Sequence, residues 1–297
     1  MLALSLGLTA ALIWAVHDLL ARKLSQGAAL LPIILVVLAS GSLILLGPAL
    51  LLGDWSGLNG QVIGLAVASG LAFALASGTL FRAFSLAPAR IVAPIIGAYP
   101  VLSLGSAVLQ GRDVTPWEWL AVFAVVFGIS IVSIGGEKGQ ATNTEATSGH
   151  LTVGLEPKFP ISAMGWAALS ACGFAATFAI GQEAARQGSE LPVILIARLT
   201  AVAIIGVLFL VQRSRLASIG GNWFIVCLMG AFDAVALSLV TISGSLPFAE
   251  HATIASSLFG VVTIVLASYF LREKLNARQW LGVAIVFGAI GFLSAQG

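Results

Sequence analysis

Long apolar stretches alternate with short polar joints along this chain. Ten stretches stand out, at about 2–21, 29–52, 61–86, 89–110, 116–135, 162–186, 191–211, 222–243, 249–271 and 277–295. A helix that crosses a bilayer core needs about 20 apolar residues, and these match that length. Barrel strands would be shorter and would alternate in polarity. Gly and Pro mark the joints, as in 53–60, Ala87-Pro88 and Leu191-Pro192. Residues 136–160 break the rhythm: they are polar, long and rich in Thr and Gly. Such a segment reads as a flexible linker between a unit at 1–135 and a unit at 161–297.

The two units share weak sequence echoes. Leu31-Pro32 recurs as Leu191-Pro192, Phe127-Gly128 as Phe287-Gly288, and Trp119-Leu120 as Trp280-Leu281. The shift is 160 or 161 residues. The basic residues add a direction. In the first unit they collect after the first and third stretches, at Arg22, Lys23, Arg82 and Arg90, against Arg112 alone after the second and fourth. In the second unit the pattern reverses. Arg213, Arg215, Arg272, Lys274 and Arg278 follow the seventh and ninth stretches, against Arg186 after the sixth. Basic joints stay on the cytoplasmic side, so the units are expected to insert upside down relative to each other, as transporter repeats do. With Lys138 and Lys158, the linker falls on the cytoplasmic side and both termini outside. The expected fold is all-α and membrane-integral, with ten transmembrane helices as two inverted five-helix repeats around a central cavity.

Composition agrees. The chain has 297 residues, 59% hydrophobic and 9% charged, with a mean hydropathy of +1.06. A soluble domain carries about 25% charged residues, so a water-soluble globule is excluded. Basic tracts suited to nucleic acid are absent. Cys172 and Cys227 lie inside apolar stretches, where a thiol is expected to be buried as a small hydrophobe, outside any disulfide framework. The first stretch starts at Leu2 without a basic lead, and is expected to be a retained helix rather than a cleaved signal.

The segment Leu271-Arg272-Glu273-Lys274-Leu275-Asn276-Ala277-Arg278-Gln279-Trp280-Leu281-Gly282 resembles a turn and helix start of the drug/metabolite transporter superfamily, in its ten-helix EamA-type branch. The first-unit counterpart, 111–120, is degraded, with Arg112 where the second unit has Glu273. Trp14 is followed by Ala15, where members of that family often have Trp-Gly. The resemblance spans nearly the whole chain outside the linker. It implies helices around a central cavity and export of amino acids or related metabolites across a bacterial inner membrane.

Ionisable side chains inside a bilayer are costly, at about 2.5–3.5 kcal/mol each. Arg198 and Asp233 are the two deepest. With a rise of 1.5 Å per residue, they fall about 10 and about 14 Å below the outer face of a ~30 Å core, on neighbouring antiparallel stretches. They are expected to pair, directly or across a substrate. A static structural pair is the plain alternative. Asp233 is also a candidate for proton coupling, since burial raises a carboxyl pKa and a nearby Arg lowers it.

In the fourth stretch Pro94, Gly97, Tyr99, Pro100 and Gly105 crowd together. Interior prolines remove helix hydrogen bonds, and broken helices are tolerated in membranes where they line cavities. Pro94, Gly97 and Pro100 are expected to form such a break, with Tyr99 facing the pathway. The ninth stretch offers Ser256, Ser257 and Gly260 instead, and Ser257 is the candidate pathway residue there. Trp14 lies deep, whereas Trp55, Trp117, Trp119, Trp166, Trp223 and Trp280 fall near stretch ends, as an interfacial belt does. Asp18 is expected to pair with Arg22 at the interface, leaving His17 at the inner cavity mouth. Glu250 and His251 open the ninth stretch, where a carboxylate fits the helix dipole.

These features favour a secondary transporter that exports small metabolites, above all neutral or aromatic amino acids, by alternating access. A multidrug or nucleotide-type carrier and a passive facilitator are the alternatives. The phosphate-loop pattern of an ATP-driven pump is absent, as are the H-E-x-x-H and G-x-S-x-G patterns of hydrolytic enzymes. No cofactor and no metal are expected. The expected partners are a small-molecule substrate, the lipid bilayer and protons, with the chain as a monomer.

Overall fold

The computed structural model describes residues 2–25, 29–87, 113–134, 161–247, 249–270 and 277–296, with single positions between 92 and 111. Among them every long element is a helix. These are α1 (Leu2–Ser25), α2 (Leu30–Leu52), α3 (Gly60–Leu86), α4 (Pro116–Ile134), α5 (Ile161–Gln187), α6 (Glu190–Val211), α7 (Trp223–Ile242), α8 (Ala249–Ser256), α9 (Phe259–Phe270) and α10 (Ala277–Gln296). Short 3₁₀ turns at Leu216–Asn222 and Ser243–Ser245 flank α7. Six helical segments have the length and apolarity to cross a membrane, and shorter apolar helices accompany them. The linker 136–160, Pro94, Pro100 and the basic turn 271–276 lie outside the described residues.

Local chemistry sets several helix starts. The Asn59 side chain accepts from the Val62 amide at 3.0 Å and caps α3. The start of α4 is a capping box. Glu118 accepts from the Thr115 amide at 2.7 Å, and the Thr115 hydroxyl receives the Glu118 amide at 3.3 Å. Pro116 takes the first helical position, where its missing amide costs nothing. At the joint between α2 and α3, the amide and hydroxyl of Ser56 both donate to Asp54, and these bonds hold its exposed carboxyl below the usual range.

The ninth stretch differs from expectation. It contains no proline, yet it breaks at 257–258 into α8 and α9. Three-residue bonds replace the helical ones there, from the Ser257 amide to Ile254 and from the Leu258 amide to Ala255, both 3.2 Å. The Ser256 and Ser257 hydroxyls donate back to the carbonyls of Thr253 and Ile254, at 2.9 and 2.7 Å. Such back-bonding bends helices, and two consecutive serines replace the proline signal.

Small residues bring the helices together. A Cβ on Gly70 of α3 would run into the Ala197 carbonyl and Thr200 of α6. A Cβ on Gly230 of α7 would run into the Val37 carbonyl and Ser40 of α2. Each of these residues is 160 positions from its counterpart, so one close contact occurs twice. Gly7 sits on the Ala252 backbone and Gly173 on Ala76. With no water to expel, helices in lipid associate through such packing and through hydrogen bonds. Two of these bonds are Ser69 to the Thr177 carbonyl (3.0 Å) and Ser170 to the Ala76 carbonyl (2.9 Å). Large apolar side chains such as Leu43, Leu51, Phe127, Leu210 and Phe224 cover the outside, as lipid contact requires. Trp55, Trp117, Trp166, Trp223 and Trp280 are exposed and Trp14 is buried. Cys172 and Cys227 correct an expectation: both are exposed, because each lies on the outward face of its helix.

Candidate functional site

Asp233 is the polar hub of the interior. It projects from α7, where α1 and α6 converge. Arg198 Nη1 donates to its Oδ2 at 2.9 Å, and Trp14 Nε1 donates to its Oδ1 at 3.2 Å. The guanidinium also lies over the Phe73 ring, 5.6 Å from the centroid, a favourable cation–π geometry. Room for it comes from Gly41, since any Cβ there would strike Arg198. Arg198 is 0% exposed, and its Nε and Nη2 have no hydrogen-bond partner among the described residues. The expected pair is therefore direct, and Arg198 sits behind it. Asp233 lines the central cavity, and Arg198 is not among the lining residues.

The exposed side of Asp233 faces a cavity with about 520 Å³ of empty space, including the part open to solvent. Residues from α1, α2, α3, α5, α7, α9 and the fourth stretch line it. The wall is mainly aromatic. Trp14 packs on Phe178 and Phe259 at ring distances of 5.8 and 6.4 Å, and Tyr99 on Phe178 and Phe174 at 5.4 and 6.4 Å. Tyr99 is fixed at its far end. Its hydroxyl donates to the Thr253 carbonyl (3.0 Å) and meets Ser256 Oγ at 2.6 Å, just before the break between α8 and α9. The ring therefore forms the wall while the hydroxyl ties the fourth stretch to the ninth. Gly97 is buried in a turn of the fourth stretch and is not among the lining residues.

The second polar group of the cavity is His17 with Asp18, both on α1 and both buried. His17 Nδ1 lies 3.0 Å from Asp18 Oδ1, and the ring stands edge-on to Phe81. This corrects the expected Asp18–Arg22 pair. The buried face of α1 includes Trp14, Asp18 and Ala21, and that three-to-four spacing turns Asp18 inward. Ser257 is likewise corrected. It is buried, bonded to Ile254, and absent from the lining, whereas its neighbour Ser256 holds Tyr99.

The EamA-like transporter family profile matches this sequence twice, over residues 1–134 and 161–295. The chain belongs to the EamA-like transporter family. A solved crystal structure shares the fold of this EamA-like transporter. It superposes with a TM-score of 0.75 at 15% identity, over 99% of this chain and 96% of that one. No curated protein sequence matches it. Membership makes the protein an integral membrane transporter of small molecules in a lipid environment.

One buried pair of this EamA-like transporter escaped the sequence. Glu118, at the start of α4, lies 3.6 Å from His251 of α8, and both are buried. The signal for Glu118 was present as Thr115-Pro116-Trp117-Glu118, a capping pattern. Its contact with His251, 133 residues further on, has no local signature. No group of His, Cys, Asp and Glu suited to a metal occurs among the described residues.

Proposed function

We propose that this protein is a secondary carrier that exports small neutral amino acids with aromatic or apolar side chains from a bacterial cytoplasm by alternating access. The observation that carries this reading is the cavity itself. It joins both sequence halves and is walled by Trp14, Phe81, Tyr99, Phe174, Phe178 and Phe259. Its acidic and imidazole groups are Asp233 and the His17–Asp18 pair, with the Ser77 hydroxyl beside them. Aromatic walls suit a flat or apolar side chain, and a few placed polar groups suit an amino acid's charged end.

Alternating access needs two units of opposite orientation, 1–135 and 161–297, joined by 136–160. Two repeated contacts support it. Gly70 on Ala197 and Thr200 mirrors Gly230 on Val37 and Ser40. Trp14 to Phe259 mirrors Phe174 to Tyr99, each at 6.4 Å. All these counterparts differ by 160 positions. Rocking one unit on the other would expose the shared cavity to each side in turn. The basic joints support an inner-membrane carrier with both termini outside.

A second reading, a carrier of aromatic organic cations, is favoured by one observation: Asp18 adds a second carboxylate to the cavity. Counterflow in liposomes separates the two. Liposomes containing the protein and preloaded with unlabelled compound are offered labelled phenylalanine, leucine, adenosine or an aromatic cation. Saturable exchange of phenylalanine supports amino-acid carriage. Exchange of the cation alone supports the second reading, and unsaturable flux of all compounds means a passive facilitator.

A further inference from the structure

His17 Nε2 is buried and has no hydrogen-bond partner among the described residues, although the ring lines the cavity. An orphaned nitrogen beside a ligand cavity calls for an occupant. The neighbouring bond says which kind. With Asp18 ionised, Nδ1–H donates to its carboxylate at 3.0 Å. A neutral imidazole has one proton, so Nε2 is then a bare acceptor. It can be satisfied by an N–H group of a ligand or by a proton.

We propose that His17 and Asp18 form an exchange site, where the substrate's ammonium group and a proton compete for His17 Nε2. The proposal rests on the carrier reading above and names the recognised group within it: an ammonium carrying at least one N–H. Loading is a simple exchange. The imidazolium gives its Nε2 proton to water on the open side, and the ammonium N–H then donates to the freed lone pair. Release on the other side reverses both steps. One positive charge occupies the site in either state, so the buried Asp18 carboxylate is balanced throughout.

The charged and titratable groups around His17 fit this use. Asp18 flanks it on α1, and Asp233 faces the same cavity from α7. Arg198 of α6 lies behind Asp233 and neutralises it. The Tyr99 hydroxyl from the fourth stretch is turned away to Thr253 and Ser256. The α3 and α5 walls offer Ser77, Phe81, Phe174 and Phe178 but no charge. Among the described residues lining the cavity, Asp18 is therefore the carboxylate whose ion-pair partner is His17. The residues 160 positions on are Thr177 and Phe178, so the second unit has no copy of this pair.

The test uses the full chain in liposomes with the membrane potential clamped and labelled L-phenylalanine as the probe. For one-for-one exchange, each pH unit of acid-inside gradient drives about tenfold accumulation. The N-trimethyl analogue, which lacks an N–H, does not compete. His17→Gln lowers counterflow and removes the response to the gradient. Equal gradient-driven accumulation in wild type and His17→Gln would overturn the proposal, as would equal competition by the trimethyl analogue. Counterflow without any gradient tests the carrier reading separately. A second measurement needs no substrate: nitrogen NMR of histidine-labelled protein in detergent. The expected result is a His17 ring protonated at Nδ1 when neutral, with Nε2 gaining a proton as pH falls. A His17 signal that is invariant with pH overturns the exchange site whether or not phenylalanine is carried.

Discussion

Arg198 reaches Asp233 across adjacent helices at 2.9 Å and makes no contact with the cavity that Asp233 lines. The pair is thus a neutralised wall element. Its cost lies in two buried charges, and its benefit in fixing where α6, α7 and α1 meet. Removing one partner of a buried pair typically costs about 3–5 kcal/mol, whereas replacing both with apolar groups is often neutral. Asp233→Asn and Arg198→Leu should therefore each sharply lower the melting temperature in detergent. Arg198→Leu combined with Asp233→Leu should recover much of it. The first unit already carries Leu38 and Phe73 at the positions 160 residues earlier. Additive losses in the double variant would contradict a neutralised pair.

The two close glycines should behave alike. Overpacking costs about 1–3 kcal/mol, and a Cβ on Gly70 or Gly230 meets a backbone carbonyl that cannot turn aside. Gly70→Ala and Gly230→Ala should destabilise by similar amounts. Gly64→Ala, where nothing lies within 4 Å, should not. Thermal melts of the three proteins check this, and unequal effects at the two glycines would count against equivalent helix pairs.

Much of this was legible in the chain. Stretch length anticipated the six membrane-length helices, and depth counting alone brought Arg198 close to the level of Asp233. The inward turn of Asp18 was legible too, but proximity to Arg22 masked the spacing from Trp14. The break at 257–258 was harder, since it comes from two serines bonding back to the main chain rather than from proline. The contact of Glu118 with His251 joins distant segments, and no local pattern encodes it.

Tyr99 should be a tether as much as a wall. Tyr99→Phe keeps the ring and removes one bond to Thr253 and one contact with Ser256. A net loss of about 1 kcal/mol is expected, seen as a lower melting temperature with phenylalanine binding largely kept. Tyr99→Ala should also lose the packing on Phe174 and Phe178, and binding with it.

The capping box offers a local test. Glu118→Ala removes the acceptor for the Thr115 amide and hydroxyl and a partner of His251. Loss of a cap costs about 1 kcal/mol, and the buried imidazole adds to it. Hydrogen exchange at 115–121 should accelerate more than in the body of α5.

The proposed sidedness can be tested at the joints. In a background lacking Cys172 and Cys227, Ser56→Cys should react with an impermeant thiol reagent from outside intact cells. Arg213→Cys should react only after the inner face is opened. The reverse pattern would invert the proposed orientation.

The most direct measurement of the central claim follows one cavity position from both sides. Ser77 lines the cavity and is nearly buried, so Ser77→Cys in the same cysteine-free background reports access. Alternating access predicts modification by an impermeant reagent from outside in cells and from inside in inverted vesicles, with transported substrate slowing both. Modification from a single side only, unaffected by substrate, would contradict a carrier that opens this cavity to each face in turn.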